Sequence, residues 1–498
     1  MTIPNEVKFV LKKLNEKGFE AYIVGGCVRD FLRGQEPQDW DIATIAKPEQ
    51  IGKIFLRSFT DNNFGTIKVQ IAKSDATKSK TENSDYVEIE ITPYRTESKY
   101  TNKRHPDEIK WAENIEQDLG RRDFTVNAIA GIIQENKKEK LKIIDLFGGE
   151  KDLKNKIIRA VGNPDARFNE DALRIIRAVR FCVVLGKDWK IEAKTAEVIK
   201  NKAGLLRMIS KERIRDEFLK IIMSEQADKG IDILHDFNIL KYVIPELEEC
   251  RRVGQNKHHI YDVYTHLVSS LEYAVRKNFN KYVRIAALFH DIGKPRTKRG
   301  TGENATFYNH EIVSARMCFQ ILTRLRFPRK DVDKITKLVR WHLFYYNVDE
   351  VGEASVRRLV RQVGSENIEE LLQLRFCDRI GSGVPKAEPY KLRHMKYIIE
   401  KISKDPISVK TLKISGKDIM KILDIKQSPK VGAILNILLE KILQDPKKNN
   451  KEFLEKEAKK AKELSDLELY KLSEKAQEKL AKIIIKDDAM TKKKYWVS

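Results

Sequence analysis

The chain of 498 residues is long enough for two to four domains, and its 41% hydrophobic and 34% charged residues are typical of a globular protein. Its five scattered cysteines argue against a disulfide framework or a zinc ribbon and favour a reducing compartment. No apolar run approaches the length of about 18 residues that a membrane span needs, whereas the net charge of +23 favours a polyanionic partner: RNA, DNA or an anionic membrane surface.

The N-terminus predicts the first helix of the fold, because Val7, Val10, Leu11 and Leu14 recur at helical spacing between lysines. It lacks the apolar core of a signal peptide. We therefore expect a cytoplasmic protein with no membrane contact, and no obligate protein partner is evident.

Residues 22–44, YIVGGCVRDFLRGQEPQDWDIAT, predict a strand, a tight turn and a helix, followed by a second strand. The apolar run Tyr22–Val24 is typical of a buried strand, and Gly25-Gly26 break it before a helix begins over Cys27–Leu32. The glycines would let backbone N–H groups approach phosphate oxygens at a helix N-terminus, where Arg29 adds positive charge. This part of the stretch suits a nucleoside triphosphate.

Two carboxylates follow the turn. Asp39 and Asp41 alternate on the predicted second strand, so both side chains point to one face. Cations would relieve their repulsion, and Mg²⁺, which prefers oxygen ligands, is the natural choice. Taken singly, a glycine pair indicates only a tight turn and a DxD only a solvated strand end, but the two in this order are more specific.

Two further strands are predicted over Ile67–Ile71 and Tyr86–Tyr94, separated by a polar loop over residues 72–85. Alternation places Glu90 where it could be a third carboxylate beside the first two. An exposed strand glutamate is an equally good interpretation of that residue.

Residues 95–130 begin polar and turn-rich, which predicts a mobile loop, and end in an apolar segment. The second half carries Arg121, Arg122, Asp123 and Asn127, residue types that suit a triphosphate clamp. A surface ion-pair cluster is the alternative.

A helical region follows, in which Asp171, Arg174 and Arg177 are spaced three apart on one predicted helix face. A new unit opens near Gly254, and it carries imidazoles and carboxylates at helix ends: His266, His290, Asp291, His310, His342 and Asp378. Several such residues suit a binuclear transition-metal or magnesium site, although a single histidine of this kind is more often a core residue.

Five motifs in the first half occur in a recognisable order: GG-x-VRD, DxD, E-I-T-x-Y-R, RRDFT-x-NA and RF-x-EDALR-xx-RAVRF. Together with Ser210–Arg213 they resemble the class II tRNA nucleotidyltransferases, or CCA-adding enzymes, a group that also holds bacterial poly(A) polymerases. The resemblance runs from about Tyr22 to Phe218. It implies template-independent addition of C, C and A to the tRNA 3′ end from CTP and ATP.

The resemblance also implies residue roles. Asp39 and Asp41 would hold two Mg²⁺ ions as catalytic residues, with Glu90 as a supporting carboxylate. The nucleotide would be bound by Gly25, Gly26, Arg29, Arg121, Arg122, Asp123, Asn127, Glu170, Asp171, Arg174, Arg177 and Arg180. Within that set, Asp171 and Arg174 would act as the protein template that reads the incoming base.

Hydrogen-bond chemistry supports the template role of Asp171 and Arg174. A carboxylate only accepts and a guanidinium only donates, and both cytosine and adenine offer an amino donor beside a ring-nitrogen acceptor. Uracil and guanine present the reverse order and would leave buried charges unpaired. An ion pair between the two side chains along one helix is the structural alternative.

The segment with HD-x-GKP in its middle resembles the HD superfamily of metal-dependent phosphohydrolases. The resemblance implies His266, His290, Asp291 and Asp378 as metal ligands, with His310 and His342 shaping a second site. The metal is a divalent ion of open identity. Hydrolysis of phosphomonoesters or 2′,3′-cyclic phosphates is a secondary hypothesis.

Residues from Ser408 resemble the C-terminal helical module of the same family, which contacts the tRNA body. Lys451–Lys482 predicts an exposed helix without chemistry, and the basic end Lys492–Trp496 could touch RNA.

The predicted fold class is α+β. A polymerase-β-like nucleotidyltransferase head with a mixed sheet and helices over 1–150 is followed by an all-α neck for base recognition and RNA binding over 151–253. An HD domain over 254–400 and a helical tRNA-binding region over 401–498 complete the chain.

Several alternatives stay open. An A-adding enzyme or a poly(A) polymerase of the same family is one, although Ala172 resembles the CCA-adding group. The loop Arg95–Glu113, with Tyr100 and Arg104-His105-Pro106, argues against an enzyme that adds only C. From other classes, an HD phosphohydrolase with an RNA-binding head and a non-catalytic RNA-binding protein are the rivals.

Overall fold

The computed structural model describes residues 2–60, 65–73, 86–98, 108–134, 140–255, 260–384, 387–403 and 409–497. They form two compact units, Met1–Leu343 with Glu369–Pro385, and Phe344–Ile368 with Lys386–Ser498. Residues 344–368, which the sequence analysis places in its third domain, thus belong to the second unit; the four-domain division stays a prediction. Tyr100 and Arg104-His105-Pro106, and residues 74–85 of the predicted polar loop, lie outside the described residues.

A seven-stranded mixed sheet forms the start of the first unit, in the order β3-β4-β5-β2-β1-β8-β9. Neighbouring β2 and β5 run parallel, and the other neighbours pair antiparallel. The strands are β1 Ala21–Val24, β2 Asp41–Thr44, β3 Ser58–Thr60, β4 Ile67–Ala72, β5 Tyr86–Pro93, β6 Arg95–Ser98, β7 Glu108–Trp111, β8 Ile129–Gln134, β9 Lys140–Asp145, β10 Ile157–Ile158 and β11 Lys190–Ile191. The predicted mixed sheet is confirmed.

Strand β5 shows why one face of the sheet is free for chemistry. Ile89 and Ile91 are buried in a core that includes Val10 and Leu14 of the first helix, whereas Glu88, Glu90 and Thr92 point away from it. This alternation matches the period of two expected for a half-buried strand. Polar side chains are therefore presented on the face opposite the first helix.

The segment predicted to be a mobile loop from Arg95 onward contains two strands, β6 and β7, at its described ends. Strands β6 and β7 pair antiparallel as a separate two-stranded sheet, with Arg95 opposite Trp111 and Thr96 opposite Lys110. Polar strands of this kind lack an apolar run, so the sequence pattern favoured a loop.

Helices dominate the rest of the described chain, but the predicted all-α neck also contains the short parallel pair β10 and β11, which is too brief to give a strand pattern in the sequence. In chain order the helices are α1 Asn5–Glu16, α2 Gly26–Leu32, α3 Pro48–Ile54, α4 Ile115–Gly120, α5 Gly149–Asn155, α6 Pro164–Glu170, α7 Leu173–Val184, α8 Ala193–Lys202, α9 Lys211–Ile222, α10 Ala227–Asp236, α11 Leu240–Val243, α12 Pro245–Glu248, α13 Val263–Arg276, α14 Lys281–Phe289, α15 Lys294–Thr297, α16 His310–Arg324, α17 Arg329–Trp341, α18 Glu353–Val363, α19 Ile368–Gly381, α20 Tyr390–Ser403, α21 Gly416–Leu423, α22 Pro429–Gln444, α23 Lys451–Lys462 and α24 Asp466–Tyr495. Across the described ranges, none of them has the length and apolar character that crossing a bilayer requires.

The second unit has its own core, to which Ile419, Leu438, Leu454 and Leu469 contribute from four helices. The predicted exposed helix Lys451–Lys482 is instead two helices, α23 and α24. The first ends at Lys462, and Ser465 caps the second, because its side chain accepts from the Glu468 backbone N–H and the Glu468 carboxylate accepts from the Ser465 N–H. Leu454, Ala458 and Ala461 are buried, so α23 is not simply a solvated helix.

Candidate active site

The turn between β1 and α2 places the backbone of Gly25 against the guanidinium of Arg122. Gly25 has φ of 78°, a conformation that side chains other than glycine rarely adopt. A Cβ atom on Gly25 would lie 2.6 Å from the Nη1 atom of Arg122. Glycine is therefore required both by the backbone conformation and by the close approach of this guanidinium.

The first carboxylate pair comes from the parallel neighbours β2 and β5, where Asp41 lies opposite Glu90. Burial raises the pKa of Asp41 to about 6; the nearby Arg122 opposes this rise, whereas Glu90 and Asp39 add to it. The predicted neighbourhood of Asp41 and Glu90 is thus present in the structure. Lys68 of β4 approaches Glu90 from the other side, at 3.5 Å between Nζ and Oε1.

Asp39 lies elsewhere than predicted. It sits in a bend before β2 with an exposed side chain, since β2 pairs with its neighbours only from Asp41 onward. The alternation that would place Asp39 and Asp41 on one strand face therefore does not apply. Asp39 still lies close enough to influence the charge of Asp41.

A chain of polar contacts joins the predicted clamp residues. Arg29 Nη1 donates to Asn127 Oδ1 at 2.7 Å, and Asn127 Nδ2 donates to Asp123 Oδ1 at 3.0 Å. Arg177 closes the chain, with Nε and Nη2 donating to Asp123 Oδ2 at 2.8 and 2.6 Å. Asp123 is only 8% exposed, so this is a buried network and not a surface ion-pair cluster.

Arg121 and Arg122 share a partner that the sequence analysis missed. Asp118, within α4, is fully buried and accepts from Arg121 Nη2 at 2.7 Å and from Arg122 Nη2 at 3.2 Å. The spacing of three and four residues is the signal that could have revealed it. Asp118 orients both guanidinium groups through charge-assisted hydrogen bonds.

The two predicted template residues do not pair with each other. Asp171 lies between α6 and α7 in an extended conformation, so it does not share a helix with Arg174. Its carboxylate accepts from Arg213, with Nη2 to Oδ2 at 2.8 Å and Nη1 to Oδ1 at 3.3 Å. Arg174 instead donates to Glu170 Oε2 at 3.0 Å and to the Arg121 carbonyl at 2.8 Å. The ion-pair alternative for Asp171 and Arg174 is therefore wrong.

These elements enclose one open cavity of about 720 Å³. Its lining contains most of the predicted site residues, namely Gly25, Gly26, Arg29, Asp41, Glu90, Arg121, Arg122, Asp123, Asn127, Asp171, Arg174, Arg177 and Arg180. Of the residues predicted to bind the nucleotide or its metal ions, Asp39 and Glu170 lie outside this lining. Thr66, Thr92, Arg95 and Arg213 line it as well, and sequence reasoning assigned them no role.

A second cluster lies on the helices that follow. His266 of α13 and His290 at the end of α14 have their Nε2 atoms 2.9 Å apart, and each Nε2 lies 3.2–3.6 Å from oxygens of Asp291 and Asp378. Burial alone would lower the pKa of His290, but Asp291 and Asp378 raise it to about 9. The carboxylates therefore favour positive charge at this centre.

Asp291 connects this group to a second one. Its Oδ2 faces His266 and His290, whereas its Oδ1 lies 3.1 Å from His310 Nε2 and 3.4 Å from His342 Nε2. Within each group the ligand atoms lie within 4.8 Å of one another, a spacing that suits a metal ion. The structure thus brings together all six predicted HD residues.

Backbone carbonyls set the orientation of three of these imidazoles. The Nδ1 atoms of His290, His310 and His342 donate to the carbonyls of Ala287, Phe307 and Val339 at 2.9, 2.7 and 2.7 Å. A carbonyl can only accept, so Nδ1 carries a proton in each of the three rings. The neutral form of each ring, which is the form that binds a metal, therefore has the lone pair of Nε2 directed at the centre.

Comparisons with known protein families match the head and the HD cluster separately. Residues 21–159 match the model of the poly A polymerase head domain, residues 188–251 that of a probable RNA and SrmB-binding site of polymerase A, and residues 257–382 that of the HD domain. A CCA-adding enzyme of Ligilactobacillus salivarius is 33% identical over 470 residues, which cover 92% of this chain and 97% of that enzyme. This chain belongs to the CCA-adding enzyme family.

Other CCA-adding enzymes agree with that assignment. One of Lactococcus lactis subsp. lactis is 32% identical over 456 residues, or 91% of this chain and 97% of the relative. The Bacillus stearothermophilus CCA-adding enzyme in complex with CTP shares the fold, with a TM-score of 0.57 at 23% identity over 92% of this chain and 98% of that one. The resemblance drawn from the sequence motifs is confirmed.

The Arg213–Asp171 contact leads to a prediction for this member of the CCA-adding enzyme family. Arg213→Met is expected to lower kcat/KM for CTP and for ATP by about tenfold to 150-fold each, because a charged hydrogen-bonding partner is worth about 1.5–3 kcal/mol. Selectivity against UTP should fall as well, since the freed carboxylate can rotate. Initial rates with the three nucleotides would show it.

The neighbouring Arg215→Met is the matched control, because Arg215 pairs with Asp216 and not with Asp171. Equal losses in the two variants, or a loss for Arg213→Met without any change in selectivity, would contradict the positioning role.

Proposed function

We propose that this chain adds C, C and A to the 3′ end of tRNA from CTP and ATP without a nucleic-acid template. The observation that carries the proposal is that one cavity holds the Asp41–Glu90 pair, the Gly25–Gly26 turn and the Asp171 and Arg174 side chains. Relatives 32–33% identical over nearly their whole length are CCA-adding enzymes. CCA-adding enzymes of the same fold form complexes with CTP, ATP and tRNA.

Divalent cations fit the carboxylates of this cavity. Asp41 and Glu90 crowd one end of it with negative charge, which contributes to the raised pKa of Asp41. We propose that Asp41 and Glu90, together with Asp39, hold Mg²⁺. Bound there, it would supply activation of the primer 3′-hydroxyl and neutralisation of the leaving pyrophosphate.

The chain itself orients the triphosphate and the sugar. The Gly25–Gly26 backbone and Arg122 form the phosphate-binding wall, where no side chain intervenes. The buried network of Arg29, Asn127, Asp123 and Arg177 forms the next part of the wall and suits the ribose. Its members are held by one another, so little ordering is needed when the nucleotide binds.

Base selection depends on one hydrogen-bond acceptor, Asp171, and one donor, Arg174, that do not pair with each other. Asp171 can accept the amino group of cytosine or adenine, and Arg174 can donate to the adjacent ring nitrogen. Because each is anchored by a different partner, the two side chains are available as a fixed acceptor and donor pair. Uracil and guanine would face them with the wrong order of groups.

The excess of basic residues, which gives a net charge of +23, suits binding of the tRNA acceptor arm and body. A-form RNA hides its major groove, so binding by shape and phosphate contacts is expected. A cytoplasmic location is part of the proposal.

The deciding experiment is nucleotide addition to a transcribed tRNA that ends at the discriminator base. CTP alone should add two residues, and ATP supplied with CTP should add one more, with no addition from UTP and GTP. A long ladder with ATP alone would indicate a poly(A) polymerase. A single A added only to tRNA that already ends in CC would indicate an A-adding enzyme.

Metal binding in the head should depend on pH. The folded-state pKa of Asp41 is raised from 3.8 to about 6, so below pH 6 a proton competes with the cation. Affinity for Mn²⁺ or Mg²⁺ should fall by about tenfold per pH unit below pH 6 and be level above it. Calorimetric titration with the cation would use protein that carries His290→Ala and Asp291→Asn, so that the HD cluster does not contribute to the signal. The further substitution Asp41→Asn should abolish the pH dependence of the affinity.

A second activity is favoured by the HD cluster. All six ligand candidates are largely buried, and four of them, Asp291, His310, His342 and Asp378, line a cavity of about 670 Å³. Its wall also carries Lys294, Arg375 and Arg379. We propose a metal-dependent phosphohydrolase that acts on phosphomonoesters or 2′,3′-cyclic phosphates. Divalent cations bound there would supply Lewis acidity toward the phosphoryl group, and the basic side chains would bind its oxygens.

This second activity can be tested independently of the first. Hydrolysis of 2′,3′-cyclic AMP and of a nucleoside monophosphate should require added Ni²⁺, Mn²⁺ or Mg²⁺ and be lost in His290→Ala, while CCA addition continues. His235→Ala is the matched control, because His235 pairs with Glu248 away from the cluster. Absence of hydrolysis with every metal would remove the phosphohydrolase from the proposal.

A further inference from the structure

One part of the active-site cavity, formed by Thr66 and Thr92, lies apart from the groups proposed to bind the triphosphate, the ribose and the base. Thr92 lies two residues beyond Glu90 on β5 and points to the same face, and Thr66 immediately precedes β4, next to it. Their Oγ1 atoms are 3.4 Å apart. Both threonines line the cavity together with the catalytic carboxylates, and neither belongs to the network that suits the incoming ribose or to the template.

The position of this threonine pair points to the primer. The incoming triphosphate and its base are accounted for by the glycine turn, the clamp network and the template, which leaves the Thr66–Thr92 side of the carboxylates for the RNA end. Two residues along a strand span about 7 Å. That distance leaves room for a 3′-hydroxyl at Glu90 and Asp41 and for the hydroxyl of the neighbouring ribose carbon within hydrogen-bond reach of Thr92.

We infer that Thr66 and Thr92 recognise the 2′-hydroxyl of the primer's terminal ribose and so act as specificity-determining residues for an RNA end. The inference rests on the proposed nucleotidyl transfer. Each threonine hydroxyl can donate one hydrogen bond and accept others, so the pair can both donate to a 2′-hydroxyl and accept from it. A DNA end lacks this group and would leave the pair without its partner.

The experiment compares threonine variants with the wild type on two tRNAs that differ only in the 2′-hydroxyl of the terminal ribose. Addition of the first C is measured on tRNA with an ordinary terminal nucleotide and on the same tRNA with a 2′-deoxy terminal nucleotide. The wild type should prefer the ribose end by about tenfold or more in kcat/KM. Thr92→Val and Thr66→Val, which keep the side-chain shape, should lose most of that preference, and Thr92→Ser should keep it.

Two controls separate this role from general damage. The KM for CTP and the preference for CTP over dCTP should not change in either valine variant. Thr60→Val alters an exposed threonine of β3 outside the cavity lining and should behave as the wild type on both tRNAs.

Equal use of both tRNAs by the wild type would overturn the inference, and so would full retention of the preference in both valine variants. Loss of CTP-over-dCTP discrimination would also overturn it, because the hydroxyls would then contact the incoming sugar. Wild-type addition to the ordinary tRNA is measured in the same series, so failure of the proposed nucleotidyl transfer would be distinguished from failure of this inference.

Discussion

Asp41→Asn is expected to lower the rate of nucleotide addition by about 10³-fold or more while tRNA binding is retained. The substitution removes the carboxylate that lies opposite Glu90 on the neighbouring strand and that we propose as a metal ligand. Loss of such a ligand costs several kcal/mol of transition-state stabilisation, with about 1.4 kcal/mol for each factor of ten. Single-turnover addition of CMP to tRNA measures the chemical step, and a filter-binding titration measures affinity for tRNA.

Glu88→Gln is the matched control, because Glu88 is an exposed carboxylate on the same face of β5. It should change the rate little. Activity of Asp41→Asn within tenfold of the wild type would contradict the catalytic assignment, and a parallel loss of tRNA binding would point to a structural role.

The second large effect concerns base selection. Asp171→Asn combined with Arg174→Gln replaces a fixed acceptor and a fixed donor by two amides, each of which can donate or accept. A site built to hydrogen-bond one pattern rejects the other by about 10⁴-fold, and we expect this preference for CTP over UTP to shrink to about 10²-fold or less. Competition between CTP and UTP for the first addition gives the ratio directly.

The paired change Asp188→Asn with Arg207→Gln serves as its control, since both side chains are exposed outside the cavity lining. Unaltered selectivity in the Asp171 and Arg174 variant would remove these residues from base recognition. A loss of all activity without any UMP incorporation would point to lost positioning instead.

The sequence was most informative where the alternation of a strand fixes its buried side and where an ordered set of motifs indicates a family. Alternation over Tyr86–Tyr94 predicted which side of β5 would be buried and put Glu90 on the polar side, and only the strand pairing shows that it lies opposite Asp41. The motif order indicated the family before any geometry was known. The convergence of six HD residues from separate helices was predicted from their resemblance to a family, since no spacing rule brings His266 and Asp378 together.

What the sequence could not show depends on contacts between distant segments and on where an element begins. Arg213 is 42 residues from Asp171, and its pairing with that carboxylate has no local signature. Asp39 was placed on a strand because alternation alone cannot tell that pairing starts at Asp41. The polar strands β6 and β7 escaped notice because polar residues are also what loops contain.

The discontinuity of the first unit has a consequence for synthesis. The chain leaves this unit after Leu343 and returns at Glu369, so Asp378 is translated only after residues 344–368. A nascent chain that has reached residue 343 carries five of the six HD ligands and lacks the last. Domains generally fold as they emerge from the ribosome, N-terminal segments first. The cavity of the head can therefore be complete on the ribosome before the group of His266, His290, Asp291 and Asp378, because a chain that ends at residue 343 still lacks Asp378.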